Sequence, residues 1–520
     1  MTKIWRFLFL LTTLPFTSAP AFCQSQVQWG QETKLKGGDF YSRILSETDS
    51  VLYLLRLRTE VFYNDGFYAD KFDVRTLNAA GSVPLLLRDA RIANEGRELV
   101  PRFEKVFVIN GNLHVFISAY DRTTDQNVAY VATFDRFDVQ NGLLELDRIN
   151  QAKRYNTGEF DFVVSPDGQK VMILRKRPYR QKENARFDLK VFDAQFNLLH
   201  SKSVRLPYRE KNFEIVRHAI DDNGDVVLLA RIEKENREFI SSEPSYYFSL
   251  MEFSPSDSNR VWEYDIKSEN NLITDVDFIL NARGEILVPG FYTNPGKEGT
   301  QGTFLMCVDR TTHSVKSSAT MPFEKTLVLD FINEKKYNRG QGLPGFNINY
   351  TVPLPEGGLY VVSEQYYMNE VCGRDGRGFI NCNYYYYYNS IVVFRIDGNG
   401  NIVWNSVIPK FQFSINDDGF YSSYALAVTG DRLHLVYNDH PKNIQLEKPG
   451  EFKVMSRPSV SQAIHVTVNP DGTYIKEPLF INKDERLILR PKFSGQVKDG
   501  EMIISAVPRN NYVKLGRIIF

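Results

Sequence analysis

Asp221-Asp222-Asn223-Gly224-Asp225-Val226-Val227-Leu228-Leu229-Ala230 joins a tight turn to a strand with no polar residue in it. Asp, Asn and Gly tolerate the left-handed backbone that a hairpin turn demands. A half-wet strand would alternate apolar and polar residues, so an unbroken apolar run means a strand covered on both faces. Seven other segments have the same character: Val51-Leu52-Tyr53-Leu54-Leu55, Leu113-His114-Val115-Phe116-Ile117, Val171-Met172-Ile173-Leu174, Ile286-Leu287-Val288, Leu359-Tyr360-Val361-Val362, Leu433-His434-Leu435-Val436 and Met502-Ile503-Ile504. Most follow a turn, such as Asn110-Gly111, Pro166-Asp167-Gly168, Arg283-Gly284, Glu356-Gly357, Gly430-Asp431 or Asp499-Gly500.

The starts of these runs lie 55 to 75 residues apart. Around each is a unit of four strands: one ending in the turn, the apolar strand, a third after a variable loop, and a polar outer strand. Repeats of this length and make-up predict an all-β fold, a single eight-bladed β-propeller of four-stranded blades. No Pro-, Gly- or Ser-rich linker interrupts the chain, so residues 24–520 read as one domain.

Tryptophan indicates how the ring closes. Apart from Trp5, the chain has Trp29, Trp262 and Trp404. Asn259-Arg260-Val261-Trp262 and Asn401-Ile402-Val403-Trp404 open outer strands, and Gln26-Val27-Gln28-Trp29 resembles them without the three strands that should precede it. The last unit stops one outer strand short, so segment 26–36 is expected to complete it and remove the open seam. Asp397-Gly398-Asn399-Gly400-Asn401-Ile402-Val403-Trp404 also resembles the D-x-x-G-x-x-x-W signature of PQQ-like (quinoprotein-like) propeller repeats, with partial likeness at 257–262 and 469–473. The resemblance implies an eight-bladed bacterial envelope propeller, of a shape whose non-enzymatic relatives scaffold envelope assembly. It implies no cofactor, because the adjacent cysteines of the quinoprotein dehydrogenases are missing.

The first residues have the layout of a secretory signal peptide. Lys3 and Arg6 precede apolar Phe7 to Leu11 and the small-residue stretch Ser18-Ala19-Pro20-Ala21. Cleavage after Cys23 gives a leader at 1–23 and a mature start at Gln24; cleavage after Ala21 and a lipid anchor on Cys23 are the alternatives, the bulky Phe22 disfavouring the anchor. No later stretch has the ~18 apolar residues of a membrane helix. With 63 basic and 63 acidic residues, no nucleic acid or other polyelectrolyte partner is implied. The 37 Phe and 28 Tyr supply a large core, and four cysteines are too few to build the fold. Phe520 after Gly516-Arg517-Ile518-Ile519 also resembles the last strand of an outer-membrane barrel, but Val226 to Ala230 and Val51 to Leu55 lack the alternation a barrel strand needs.

In a propeller the short turns share one face, and the loops joining strands two to three and blade to blade share the other. Here the long segments Arg175–Arg186, Glu233–Ser245, Tyr292–Gly302, Gln365–Asn389, Asn438–Arg457 and 325–345 all fall on the second face, the expected interaction surface. The insert 366–389 reads as a loop carrying Cys372 and Cys382, expected to pair in an oxidising compartment, and then Tyr384, Tyr385, Tyr386, Tyr387 and Tyr388. Those tyrosines suit a binding surface; the alternative is that alternate rings pack on the neighbouring blade. Cys307, between Met306 and Val308, reads as a buried thiol. Aligned on their turn glycines, the units place Asp161, Arg217 and Asp277 at one position of three successive inner strands, facing the channel, as a second binding candidate.

Other motifs carry less. Asp397-Gly-Asn-Gly-Asn lacks the downstream Glu of a Ca²⁺ loop, and Arg175-Lys176-Arg177-Pro178-Tyr179-Arg180 reads as a solvated basic run, the alternative being contact with an anionic glycan. No zinc, nucleophile-elbow or phosphate-loop motif is present in the sequence, so no cofactor, metal or catalytic residue is assigned. The expectation is a non-catalytic binding or scaffolding protein of the Gram-negative envelope, periplasmic or at the cell surface, holding a protein or glycan on its loop-rich face. The alternatives are a polysaccharide-acting enzyme using Asp161 and Asp277 as acid and base, and a quinone- or metal-dependent oxidoreductase. Oligomeric state is not indicated.

Overall fold

The computed structural model describes residues 27–520 apart from 61–62, 88–89, 95, 136–138, 235–244, 255–260, 375 and 447–450. The leader at 1–23, the Cys23 alternative, Gln26 and most of the Glu233–Ser245 loop lie outside the described residues.

Among these residues the chain is all-β, with short helices confined to connections. Eight antiparallel sheets of four or more strands follow one another, at 39–87, 101–150, 159–209, 213–266, 272–322, 346–408, 425–481 and 488–519; we number them sheets 1 to 8. They are separate sheets, whereas the barrel alternative requires one continuous sheet. A two-stranded hairpin, Ile92–Asn94 with Arg97–Leu99, lies in the first crossover, and two short helices, Lys325–Leu329 and Glu334–Asn338, occupy the crossover at 325–345.

Every apolar run read from the sequence is the central strand before the variable loop of its unit, and its neighbouring side chains point to opposite partners. Leu113, Val115 and Ile117 of sheet 2 pack with Leu55 and Val83 of sheet 1, while Phe116 packs with Val171 and Ile173 of sheet 3. Met172 and Leu174 turn to Leu228 and Ala230 of sheet 4, whose Val227 and Leu229 meet Ile286 and Val288 of sheet 5. The alternation continues through Leu287 with Leu359 and Val361 of sheet 6, and Tyr360 and Val362 with Leu433 and Leu435 of sheet 7. Val436 packs with Met502 and Ile504 of sheet 8, and Ile503 packs with Leu52 and Leu54 of sheet 1. A period-two side-chain pattern therefore explains why no position in these strands is polar-facing.

Sheet 8 takes its outer strand from the other end of the chain. Val27, Gln28 and Trp29 pair antiparallel with Ile518, Arg517 and Gly516, and Thr33–Lys34 pairs with Tyr512 and Val513. Trp29 meets Phe480 of sheet 7 edge to face at 5.3 Å. Onto sheet 1, the Gln28 amide donates to Arg75 O, and Arg517 binds Glu47, buried on sheet 1, and donates to Val74 O at 3.0 Å. Trp404 does the equivalent between sheets 6 and 7: its indole Nε1 donates to Pro470 O at 2.8 Å, and a side chain on Gly472 would strike its ring.

Gly516 is where the N-terminal strand is most tightly seated, because a Cβ there would lie 2.6 Å from Val27 Cγ1 and 2.8 Å from the Trp29 ring. Gly516→Val should therefore unseat residues 27–34, lowering stability by about 2 kcal/mol or more. The expected result is a lower melting temperature with early proteolytic loss of the N-terminal segment; wild-type resistance would show that the strand does not hold the last sheet.

Candidate binding face

The expected loop at 366–389 is a hairpin. Strands Leu359–Arg374 and Ile380–Ile396 run on past the sheet and pair continuously from Tyr366↔Tyr388 to Arg374↔Ile380, leaving only a short turn at the tip. Alternating aromatic residues favour strand, and cross-strand tyrosines face one another: Tyr367 and Tyr387 stack at 4.5 Å and Tyr366 meets Tyr388 at 4.7 Å. Cys372 and Cys382 are directly opposed and form a disulfide.

The arm has two faces. Tyr384, Tyr386 and Tyr388 share one with Met368 and Glu370, and Tyr385 and Tyr387 share the other with Tyr367 and Val371. Tyr388 is buried at the root, where the Lys492 ammonium donates to its hydroxyl at 2.7 Å, so this ring is structural. Burial pushes its phenol up, out of reach of ionisation. Tyr385 and Tyr387 lean on Phe413, whose strand Gln412–Ile415 pairs along Tyr385–Tyr388. Towards the tip Val371, Phe379 and Ile380 are exposed, the last two by 66% and 64%.

A buried polar cluster anchors the arm. Lys410, wholly buried, donates to Glu364 Oε1 at 2.5 Å, to Tyr388 O at 3.0 Å and to Gln412 Oε1 at 3.1 Å. Glu364 also accepts from Ser423 Oγ, and Gln412 Nε2 donates to Asn438 O in sheet 7. Asn438 in turn donates to Leu489 O in sheet 8 and accepts from Asn482 Nδ2. Both strands of the arm are thus bolted to the two following sheets. Burial pulls the Lys410 ammonium below its ordinary value, against the pull of Glu364. Nothing in the sequence marks this pair, because its members lie on a strand and a crossover 46 residues apart.

The inner strands carry the second candidate, and its three residues divide. Arg217 forms an ion pair with Asp277 of the next sheet, and Asp277 Oδ2 accepts from Thr351 Oγ1 of the sheet after that at 3.1 Å. Asp161 is engaged in the other direction, by Lys105 of sheet 2 at 2.5 Å, while His218 Nε2 of sheet 4 lies 3.3 Å from its carboxylate. Burial lowers the pKa of both Arg217 and His218. Asp161 and Arg217 lie on inner strands and Asp277 in the break between Leu272–Val276 and Ile279–Leu280, and their charges are spent on ties between neighbouring sheets, with Lys105 and Thr351 as partners the sequence did not reveal.

Of the remaining motifs, Asp397 Oδ1 accepts from the backbone N–H groups of Asn399 and Asn401, as a turn does. Cys307 is a buried free thiol pushed up to about 11 by burial. No helix among the described residues is long and apolar enough to cross a membrane.

No protein-family model and no curated protein matches the chain. The structural neighbours include β-propeller domains. The WD40 domain of SCAP from fission yeast is 9% identical with a TM-score of 0.36, covering 96% of this chain and 97% of that one. The β-propeller domain of the Trilobed protease from Pyrococcus furiosus is 9% identical with a TM-score of 0.34, covering 75% and 100%. A protein of unknown function from Bacteroides caccae is 12% identical with a TM-score of 0.26, covering 67% and 92%.

Two outcomes follow from this geometry. Lys410→Met leaves Glu364 buried without its cation and should cost about 3–5 kcal/mol in chemical denaturation, much of it recovered in Lys410→Met/Glu364→Leu; equal losses in both would show that the pair does not anchor the arm. Non-reducing peptide mapping should find Cys372 joined to Cys382, with Cys307 labelled only after unfolding; two reactive thiols in the arm would contradict the staple.

Proposed function

We propose that this chain is an exported, non-catalytic binding or scaffolding protein of the Gram-negative envelope, periplasmic or at the cell surface, which holds a partner on the loop-rich face of a closed eight-bladed propeller. The closed ring is supported by the cyclic order of inter-sheet cores, in which sheet 8 packs on sheet 1, and by the pairing of the N-terminal strand with 512–519. Kinship with PQQ-like repeats rests on the Asp397–Trp404 turn and its docking on the next sheet. Export rests on the leader-like first 23 residues and is in keeping with the arm disulfide.

The observation that carries the binding reading is the stapled arm. A two-stranded extension held at its root by buried hydrogen bonds and at its end by a disulfide presents Tyr367, Met368, Val371, Phe379, Ile380 and Tyr384 to solvent. Exposed aromatic and aliphatic side chains on a rigid element lose little freedom on binding. The inner-strand carboxylates do not favour the enzymatic alternative, since Asp161 and Asp277 are each engaged by a cation from another strand.

The test is affinity capture from solubilised envelope with the mature protein and with a variant in which 366–389 is replaced by a short turn, both verified as folded. A partner retained only by the intact protein is the expected result. Equal capture by both, or none by either, would remove the arm from the binding role.

A further inference from the structure

The basic run at 175–180 acquires a setting that its sequence did not suggest. Two contiguous cavities of about 390 Å³ and 510 Å³ open on the loop-rich face between sheets 2, 3 and 4, sharing Arg177, Arg186 and Glu210 in their walls. Together their walls contain eight basic side chains and four acidic ones, with Glu145, Asp147 and Asp188 paired to the arginines from behind. Arg148, Arg175, Arg177, Arg180 and Arg186 line the first, and Arg154 stands at the second beside Tyr155.

These guanidinium groups are held in place from behind. Buried Asp188 binds Arg175 at 2.9 Å and Arg177 at 2.9 Å, and buried Asp147 binds Arg175 at 2.8 Å. Glu145 pairs with Arg148, and Glu183 with Arg180 and Arg186; Arg175 is taken by two carboxylates, whereas Arg177, Arg180 and Arg186 each have one. A planar guanidinium has five N–H donors, and a carboxylate on one edge leaves others to meet a second anion.

The loops are fixed as well. The Asn156 side chain donates to Tyr179 O at 2.9 Å and accepts from Tyr179 N at 2.8 Å, locking the crossover that carries Tyr155 to the loop that carries Tyr179. On the far side Arg180 N donates to Glu210 Oε2 at 2.7 Å, and Glu210 N donates to Glu183 O at 3.0 Å. Tyr155 is 90% exposed and Tyr179 is 51% exposed, both at the wall of the second cavity.

We propose that this groove binds an acidic polysaccharide whose sugar units carry carboxylates. The arginines meet the carboxylates bidentately, and the exposed faces of Tyr155 and Tyr179 receive the apolar faces of sugar rings. Flat exposed rings flanking a wet, charge-lined trough suit a chain of sugars better than an acidic peptide, which needs donors for its backbone. This proposal rests on the reading of the loop-rich face as a binding surface and gives the glycan its place there, away from the arm.

The test uses the full mature protein and the variant Arg154→Gln/Tyr155→Ala/Arg180→Gln, whose side chains are at the surface, with folding confirmed by unchanged melting. Polygalacturonate is the probe, its methyl-esterified form the neutral control and polyglutamate the acidic-peptide control, read by affinity electrophoresis and calorimetry. The expected result is retention by polygalacturonate, not by the ester, weakened about tenfold or more in the variant and by added salt. Equal binding of polyglutamate, or an unchanged affinity in the variant, would overturn the proposal. Absence of polygalacturonate binding by a protein that still captures an envelope partner through the arm would refute the groove and leave the broader function standing.

Discussion

A strand that is apolar on both faces cannot end a structure. Each of the eight central strands sends alternate side chains to the sheet before and the sheet after, and either set left uncovered would expose several fully buried residues to water. Burying one such side chain stabilises by roughly 1.5–3 kcal/mol, so an open seam between the last and first sheets would leave both Ile503 and Leu52 with Leu54 without a cover. Ile503, Val513 and Leu515 packed on Leu52, Leu54 and Leu77 give this junction its apolar filling, and Arg517 clamped onto Glu47 gives it its polar tie.

The candidate binding features depend on that rigidity. The arm is a continuation of two strands of sheet 6, and its direction is set by the sheet and by Lys410, which joins its root to the following crossover. The groove is formed where three consecutive sheets present their connections side by side, with Asn156 and Glu210 fastening one connection to the next. Ties between inner segments, Lys105 to Asp161 and Arg217 to Asp277, keep neighbouring sheets in angular register beneath both.

The sequence conveyed the repeat well, because a Gly- or Asn-containing turn followed by an unalternating apolar run has a local physical cause. It conveyed the arm less well. The glycines of Cys372-Gly-Arg-Asp-Gly-Arg-Gly-Phe suggested a loop, whereas only the tip uses them and the flanking tyrosines pair as strands. Asp161 and Arg217 do lie on inner strands and Asp277 falls in a break between two, but bulges at Ile215/Arg217 and Ile273/Asp275 shift the pairing, and their partners come from other sheets. Asp188, Asn156 and Glu210 were invisible for the same reason. A charged residue announces itself in a sequence, and the partner that decides its role does not.

The proposed closure of the ring is most directly tested by native-state hydrogen exchange of the amides at 27–30 and 513–518. If the N-terminal strand completes the last sheet, these amides should exchange as slowly as those of the interior strands at 226–230 and 113–117, opening only with global unfolding. Rapid exchange at 27–30, with 513–518 losing protection while the other sheets keep theirs, would contradict the closed ring and with it the rigid face on which the function is built.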